Sequence, residues 1–290
     1  MQSFRFVRPT RLQEVISFLE EHGTAAALLA GGTDLIVGLR DGKMKSRVII
    51  DLKRTNDLPP NFAEADGWLT IGATTALSDV EMHETVRFRF PALAEAASVA
   101  GSVQIRNRAT LVGNVCNASP AADTVPVLAV YGAVVEVLGP AGERRLPVVD
   151  FIQGNRRTAL AAGELVTSVS IPLPNQPFGA AFARITRRRG VDLATVNVCC
   201  GIDSAGLTTF GFGAVSPRPL LLRDAAGVLA DPFAATEAKA TALDALISKA
   251  APITDVRASA EYRLAMLEVL AKRTQLRAAE RLAVAREKHG

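Results

Sequence analysis

The sequence predicts an α+β protein in which short apolar strands alternate with helices. Its 290 residues are 49% hydrophobic and 21% charged, which excludes disorder, collagen and coiled coil as descriptions of the whole chain. The N-terminal third alternates a helical pattern with short apolar runs. The C-terminal third instead contains two alternating strands around a glycine, followed by two helical stretches. We therefore expect α/β character at the N-terminus and an α+β domain at the C-terminus.

The first elements are predicted from periodicity and capping. Thr10 stands where an N-cap opens a helix, apolar residues then recur at helical spacing, and Gly23 is a natural stop. Apolar runs at 25–30 and 47–52 predict buried strands. Alternation of apolar and polar residues predicts another strand at 68–73.

The later elements follow from the same patterns. Pro91 in a first turn predicts a helix over 91–100. Three prolines between 172 and 177 predict a boundary. Further strands are expected at 127–138, 164–171, 194–202 and 208–215, and further helices at 234–250 and 259–287.

Charge and cysteine content exclude several classes of protein. The net charge of +4 arises entirely within residues 257–290, which argues against a broad nucleic-acid surface. Three cysteines are too few for a disulfide scaffold or an iron–sulfur cluster, and the scattered histidines suggest no metal site. Residues 1–11 lack the apolar core of a signal peptide, and no apolar run is long enough to cross a bilayer. We expect a cytoplasmic protein.

A glycine pair follows the apolar run at residues 28–30. Gly31 and Gly32 allow a sharp turn and remove Cβ atoms, so that backbone N–H groups can converge on an anion such as a phosphate. Thr33 adds a hydroxyl donor. The alternative is a plain strand-to-helix turn in which Thr33 or Asp34 is the N-cap.

A second segment, residues 110–123, is rich in small and hydrogen-bonding residues but lies between apolar segments. A buried loop of this kind must satisfy its backbone groups, and a polar ligand along it would do so. Gly113 would allow close approach, Thr110, Asn114 and Ser119 would donate, and Asp123 could accept. The alternative is a structural loop satisfied within the protein.

Together these segments resemble a known family. AGGTDL at 30–35 and TLVGNVCNASPAADTVPVL at 110–128 are similar to the flavin-binding medium subunit of molybdenum hydroxylases, the relatives of carbon monoxide dehydrogenase and xanthine dehydrogenase. LTIGATTALSDV at 69–80, the run 182–194 and ITDVRASAEYR at 253–263 agree in order.

The resemblance implies a two-lobed FAD-binding module of the vanillyl-alcohol-oxidase (PCMH) type and a C-terminal α+β domain. The expected divisions are residues 1–57, 58–176 and 177–290. FAD would lie between the lobes. The implied cofactor-binding residues are Leu28, Leu29, Ala30, Gly31, Gly32, Thr33, Asp34 and Leu35 in the first loop, Thr110, Gly113, Asn114 and Ser119 in the second, and Asp123, Leu165 and Arg184 beyond. Arg184 stands where the family usually has a lysine near the flavin.

The same resemblance implies an oxidoreductase subunit that needs no catalytic acid–base residue or metal of its own. It would take electrons from two two-iron, two-sulfur clusters in a small subunit and pass them to an external acceptor such as NAD or a quinone. A large subunit would hold molybdopterin. A dimer of heterotrimers is expected. A stand-alone FAD-dependent reductase or oxidase is the alternative, with Cys116 or Ser119 as proton donor; a nucleic-acid-binding or scaffolding protein is a third possibility, prompted by the basic C-terminal segment.

Overall fold

In the computed structural model, which describes residues 3–288, three sheets follow one another along the chain. The first is parallel, with strand order β1-β3-β2, and the helix α1 packs its apolar face on it. A second helix, α2, lies between β2 and β3 along the chain. Its elements are β1 (Arg5–Val7), α1 (Leu12–His22), β2 (Ala26–Leu29), α2 (Leu35–Arg40) and β3 (Val48–Asp51).

The predicted start of α1 needs one correction. Thr10 is not its N-cap: Arg11 occupies that position without a capping side chain. The backbone N–H of Thr10 instead donates to the carboxylate of Glu14 at 2.8 Å, and that of Leu12 donates to Asp57 at 2.7 Å. These two acids replace the expected threonine cap. Gly23 ends the helix at a φ of 48°, as predicted.

The second sheet is antiparallel, with strand order β4-β5-β10-β6-β7, and short helices cover one side of it. The predicted strands at 68–73 and 164–171 and the helix at 91–100 are confirmed within two residues. The strands are β4 (Phe62–Ala65), β5 (Trp68–Gly72), β6 (Val134–Gly139), β7 (Gly142–Pro147), β8 (Ile152–Gly154), β9 (Arg157–Thr158) and β10 (Leu165–Pro172), of which β8 and β9 form a separate hairpin. The helices are α3 (Leu77–Met82), α4 (Glu84–Arg89), α5 (Pro91–Val99), α6 (Val103–Arg106), α7 (Leu111–Cys116), α8 (Thr124–Val130) and α9 (Val148–Phe151).

The strand predicted at 127–138 was wrong in its first half. Residues up to Val130 belong to the helix α8, and the strand β6 begins only at Val134. Every residue of α8 is buried, so its sequence shows no amphipathic period that would distinguish it from a strand. Pro126 lies within the first turn, where a helix tolerates proline, and Gly132 turns the chain at a φ of 68°.

The third sheet is an antiparallel meander that carries the long C-terminal helix. Helix α11 begins at the N-cap Ser259, whose hydroxyl accepts from the N–H of Tyr262, and it buries Leu267, Leu270 and Ala271 against the sheet. The predicted antiparallel strands and both helices are confirmed. The elements are β11 (Gly179–Ile185), β12 (Val196–Ile202), β13 (Thr208–Gly213), β14 (Leu220–Asp224), α10 (Thr236–Ile247) and α11 (Ala260–Glu287).

A charged cluster ties the third sheet to the second. The carboxylate of Glu95 on α5 pairs with both Arg277 and Arg281 on α11, and it also accepts from the N–H of Phe182 at 3.0 Å. The guanidinium of Arg281 donates in addition to the carbonyl of Ala180 at 2.6 Å. The basic C-terminal segment therefore faces its own chain at these two positions.

Glu164, just before β10, gives a pH-dependent prediction. Arg144 donates to both of its oxygens at 2.7 Å, and these hydrogen bonds lower the pKa of Glu164 from its ordinary value of 4.5. A lowered pKa adds stability above 4.5 that is lost as pH falls through the folded-state pKa. Glu164→Gln should therefore lower the urea midpoint at pH about 7 but less at pH about 2.5. An equal loss at both pH values would contradict this, and the exposed Glu143→Gln should change neither midpoint.

Candidate cofactor site

The glycine loop and the second polar segment line one cavity of about 310 Å³. It opens where the parallel sheet meets the helices of the second sheet, so residues about 80 positions apart in sequence face one another. Leu52, Met44, Leu160 and Val166 complete its apolar wall. Ten of the fifteen predicted cofactor residues line this cavity: Leu28, Ala30, Gly31, Gly32, Thr33, Asp34, Leu35, Thr110, Gly113 and Asn114.

Gly31 packs tightly against the backbone that leads into the second segment. A Cβ atom placed on it would lie 2.0 Å from the carbonyl oxygen of Arg108 and 2.9 Å from the Cα of Ala109, both backbone atoms. Gly32 has a φ of 77°, in the left-handed region that favours glycine. The pair therefore serves both a turn and a close contact, and no other residue type meets both demands.

The alternative prediction for this loop, a plain strand-to-helix turn with an N-cap, is also correct in part. The turn does lead from a strand into a helix, and Asp34 occupies the N-cap position of α2. However, the Asp34 side chain makes no capping hydrogen bond, is 57% exposed, and lies 3.8 Å from the guanidinium of Arg156. Simple capping does not account for Thr33 and Asp34, whose side chains remain available to a ligand.

The first half of the second segment is the short helix α7, whereas residues 117–123 form a loop. Thr110 is the N-cap of α7, and its hydroxyl oxygen accepts from the N–H of Gly113 at 2.9 Å. The amide oxygen of Asn114 accepts from the hydroxyl of Thr124 at 2.7 Å, which orients its NH₂ group as a free donor. The prediction of a loop was therefore wrong for residues 111–116, whose small residues form a short capped helix, and is confirmed for residues 117–123.

A larger cavity of about 430 Å³ adjoins the second segment on its other side. Ser119 lies in its wall, together with Arg156, Arg257 and Arg263. The cavity lies between the cofactor-binding part and the third sheet. The backbone around it is strained. Three of its neighbouring non-glycine residues have positive φ, namely Ala118 at 46°, Arg156 at 58° and Ala214 at 61°.

Arg156 stands between the two cavities. Its guanidinium hydrogen-bonds the amide oxygen of Asn117, which lines the smaller cavity, while the residue itself lines the larger one. The N–H of Arg156 donates to the carbonyl of Ala118 at 2.9 Å. A ligand that occupied both cavities would pass beside this side chain.

Asp123 and Arg184 form a buried pair that lines neither cavity. The guanidinium of Arg184 donates to one carboxylate oxygen of Asp123 at 2.5 Å, and the amide of Asn197 donates to the other at 3.0 Å. Burial raises the pKa of Asp123, and the charge of Arg184 works against that rise. Arg184 is thus engaged with Asp123 rather than open to a ligand.

The remaining predicted residues lie farther from the cavity surface. Leu165 is fully buried in the core between α1 and the second sheet, although its neighbour Val166 lines the smaller cavity. Leu29 packs beneath the glycine loop, 2.6 Å from the position that a Cβ on Gly32 would take. Any contact from these two residues to a ligand would come from the backbone.

The cysteines behave as small apolar residues. Cys199 and Cys200 are buried, and Cys116 lines the smaller cavity. Burial raises the pKa of the Cys116 thiol to about 12, so it stays protonated at neutral pH. No group of three or more His, Cys, Asp and Glu in residues 3–288 could hold a metal ion.

Two residues that support the site were missed by sequence reasoning. The ammonium group of Lys53 donates to the carbonyl of Ala30 in the glycine loop at 3.3 Å and pairs with the buried Asp51. Asn197 holds Asp123 from the third sheet. For Lys53 the sequence held a signal: Asp51, the acid at the end of the apolar run VIID, is the partner with which it pairs. Nothing in the sequence connects Asn197 with Asp123.

Comparisons with known proteins agree with this geometry. Residues 2–174 match the family described as FAD binding domain in molybdopterin dehydrogenase, and residues 181–278 match the CO dehydrogenase flavoprotein C-terminal domain. The chain is 32% identical over 238 residues to the nicotinate dehydrogenase FAD-subunit of Eubacterium barkeri, covering 79% of this chain and 80% of that one. It is 30% identical to the carbon monoxide dehydrogenase medium chain of Afipia carboxidovorans, covering 96% and 98%. A crystal structure of Cu,Mo-CO dehydrogenase superposes with a TM-score of 0.89 at 29% identity, covering 97% and 99%.

Proposed function

Because this chain belongs to the family of FAD-binding medium subunits of molybdenum hydroxylases, which are oxidoreductases, we propose that it is the electron-transferring flavoprotein of such a complex. The observation that carries the proposal is the shared cavity. The glycine loop and the segment at 110–114 both line it, and Thr33 and Asn114 bring side-chain donors to it.

The residues around the cavity fit the diphosphate of FAD. The missing Cβ at Gly31 lets the two segments approach closely, and Thr33 and the NH₂ group of Asn114 supply donors for anionic oxygens. FAD, when bound, supplies the redox chemistry, so the chain needs no nucleophile or acid–base pair of its own. At about 310 Å³ the smaller cavity is at the lower end of the roughly 300–1,000 Å³ of ligand pockets. We infer that the dinucleotide continues past Ser119 and Arg156 towards the larger cavity.

The other predicted residues take supporting roles in this proposal. Asp123 lines neither cavity, and its contact with the cofactor is proposed from the family resemblance; the lone pairs that Arg184 and Asn197 leave free would accept hydrogen bonds from FAD. Arg184 acts through Asp123. Leu28, Leu29, Ala30, Leu35 and Leu165 form the apolar and backbone wall.

The partners follow from the family. The names of the relatives, a medium chain and an FAD-subunit, describe parts of larger enzymes. We propose that a small subunit with two two-iron, two-sulfur clusters delivers electrons to this chain, that a large subunit holds molybdopterin, and that the complex is a cytoplasmic dimer of heterotrimers. Within residues 3–288, none of the helices combines the length and the hydropathy needed to cross a bilayer.

Coexpression with the chains encoded beside it tests the proposal. The purified complex should be yellow and contain one FAD per copy of this chain, and substrate added to it should bleach the flavin absorbance. A colourless complex, or FAD that is not reduced by substrate, would contradict the proposal. Turnover of a small substrate or NADH by the isolated chain would instead favour the stand-alone reductase or oxidase.

A further inference from the structure

One row of residues crosses three strands of the third sheet and ends on Asp123. Arg184 on β11 lies directly opposite Asn197 on β12, and Asn197 lies opposite Gly213 on β13. The first two side chains each bind one oxygen of the Asp123 carboxylate. The third strand has no side chain there, which leaves space for the amide.

The space at Gly213 is specific to Asn197. A Cβ on Gly213 would lie 2.0 Å from the amide oxygen of Asn197, and 2.9 Å from the ring of Pro126 in α8. The row is therefore built so that the amide fits between β13 and the start of α8, where Asp123 is the N-cap residue.

The chemistry fixes which end of the amide faces Asp123. The NH₂ group of Asn197 lies 3.0 Å from a carboxylate oxygen and 3.3 Å from the carbonyl oxygen of Ala122, and both of these are acceptors only. The opposite orientation would set oxygen against oxygen at both contacts. Asn197 is fully buried, so water does not compete for these hydrogen bonds.

The two donors fix the orientation of the Asp123 carboxylate. Each carboxylate oxygen has two lone-pair sites, and the third sheet occupies one on each oxygen. With both oxygens held, the carboxylate cannot rotate, and its remaining lone pairs point in fixed directions. A fixed acceptor binds a ligand better than a mobile one, because it loses less conformational entropy when the ligand binds.

We propose that Asn197 is a positioning residue for the cofactor, which holds the Asp123 carboxylate in the orientation that accepts from FAD. The inference depends on the proposed contact between Asp123 and FAD. It places part of the cofactor-binding function in the C-terminal domain, through a residue that does not touch the ligand.

Titration of the full-length, flavin-free chain with FAD, followed by flavin fluorescence, tests this proposal. Because the Asp123 carboxylate would then have to be ordered on binding, Asn197→Ala should raise the dissociation constant for FAD about tenfold. The matched control is Thr195→Ala. Thr195 lies two residues earlier on the same strand and is also buried, but its hydroxyl has no hydrogen-bond partner within residues 3–288. It should change the dissociation constant less than about threefold.

A double-mutant cycle separates positioning from a general loss of stability. In an Asp123→Ala background, Asn197→Ala should weaken FAD binding by less than about threefold, because its only link to the ligand is gone. If an alanine variant does not fold, the same cycle with Asn197→Ser and Asp123→Ser replaces it.

The outcomes distinguish this inference from the proposed function. An equal effect of Asn197→Ala in both backgrounds, or an effect no larger than that of Thr195→Ala, would overturn the positioning role while the wild-type chain still binds FAD. Failure of the wild-type chain to bind FAD would overturn the proposed function. An unchanged affinity in Asp123→Ala would overturn the Asp123 contact, and with it the positioning role of Asn197.

Discussion

Replacement of Gly31 by alanine should weaken FAD binding more than any other single substitution in the glycine loop. The added Cβ would overlap the Arg108 carbonyl at 2.0 Å, and neither backbone segment can rotate away as a side chain could. The glycine loop and the backbone at residues 108–109, just before α7, must therefore separate. Overpacking costs about 1–3 kcal/mol, so the dissociation constant for FAD should rise about ten- to hundredfold.

Gly179→Ala is the matched control for Gly31→Ala. Its Cβ would meet another backbone carbonyl, that of Ala278, at 2.1 Å, far from both cavities. It should lower the thermal unfolding midpoint by a similar amount, while FAD affinity measured well below that temperature stays near the wild-type value. Equal loss of FAD affinity in both variants would show that Gly31 acts only through stability.

Arg263→Ala should cause the largest loss of stability in the C-terminal domain. The Arg263 side chain is 3% exposed, and its guanidinium donates to the carbonyls of Thr195 and Ala214 and to Asp255 at 2.7 Å. It thereby ties the start of α11 to β12 and to the strained residue after β13. Hydrogen bonds of a charged donor are worth about 1.5–3 kcal/mol each, so we expect a loss of about 3–5 kcal/mol.

Hydrogen exchange of the β12 amides measures this effect locally. Protection of residues 196–202 should fall in Arg263→Ala and recover only in part in Arg263→Lys, because one ammonium group cannot reach three separate acceptors. Arg257→Ala is the control. Arg257 pairs with the same Asp255, but it is 29% exposed and should cost less than about 1 kcal/mol. Equal loss of protection in the two alanine variants would contradict the assignment.

Local patterns predicted much of the fold because periodicity and turn residues are short-range signals. The strand at 68–73 and the long helix ending at Glu287 show a clear period in the sequence. The run 127–138 does not, because a helix buried on all sides has the same composition as a buried strand. The prediction that Thr10 caps α1 was wrong for a different reason. An acid within the helix, Glu14, accepts the N–H of Thr10, and the hydroxyl of Thr10 is not the cap.

The site was predictable only where its residues are consecutive. The loops at 28–35 and 110–114 could be read as ligand-binding segments because glycines and small donors cluster there. The row formed by Arg184, Asn197 and Gly213 could not be found in this way, since its members meet only through strand pairing across the sheet. Lys53 was likewise invisible, because its role depends on a carbonyl 23 residues earlier.

The ion-pair cluster at Glu95 has a consequence for biosynthesis. Its two arginines are 182 and 186 residues downstream of the glutamate, within the last turns of the final helix. During translation the N-terminal two thirds of the nascent chain therefore emerge and fold without these partners. These ion pairs can form only once α11 has been synthesised, so α5 and the third sheet come together late in folding.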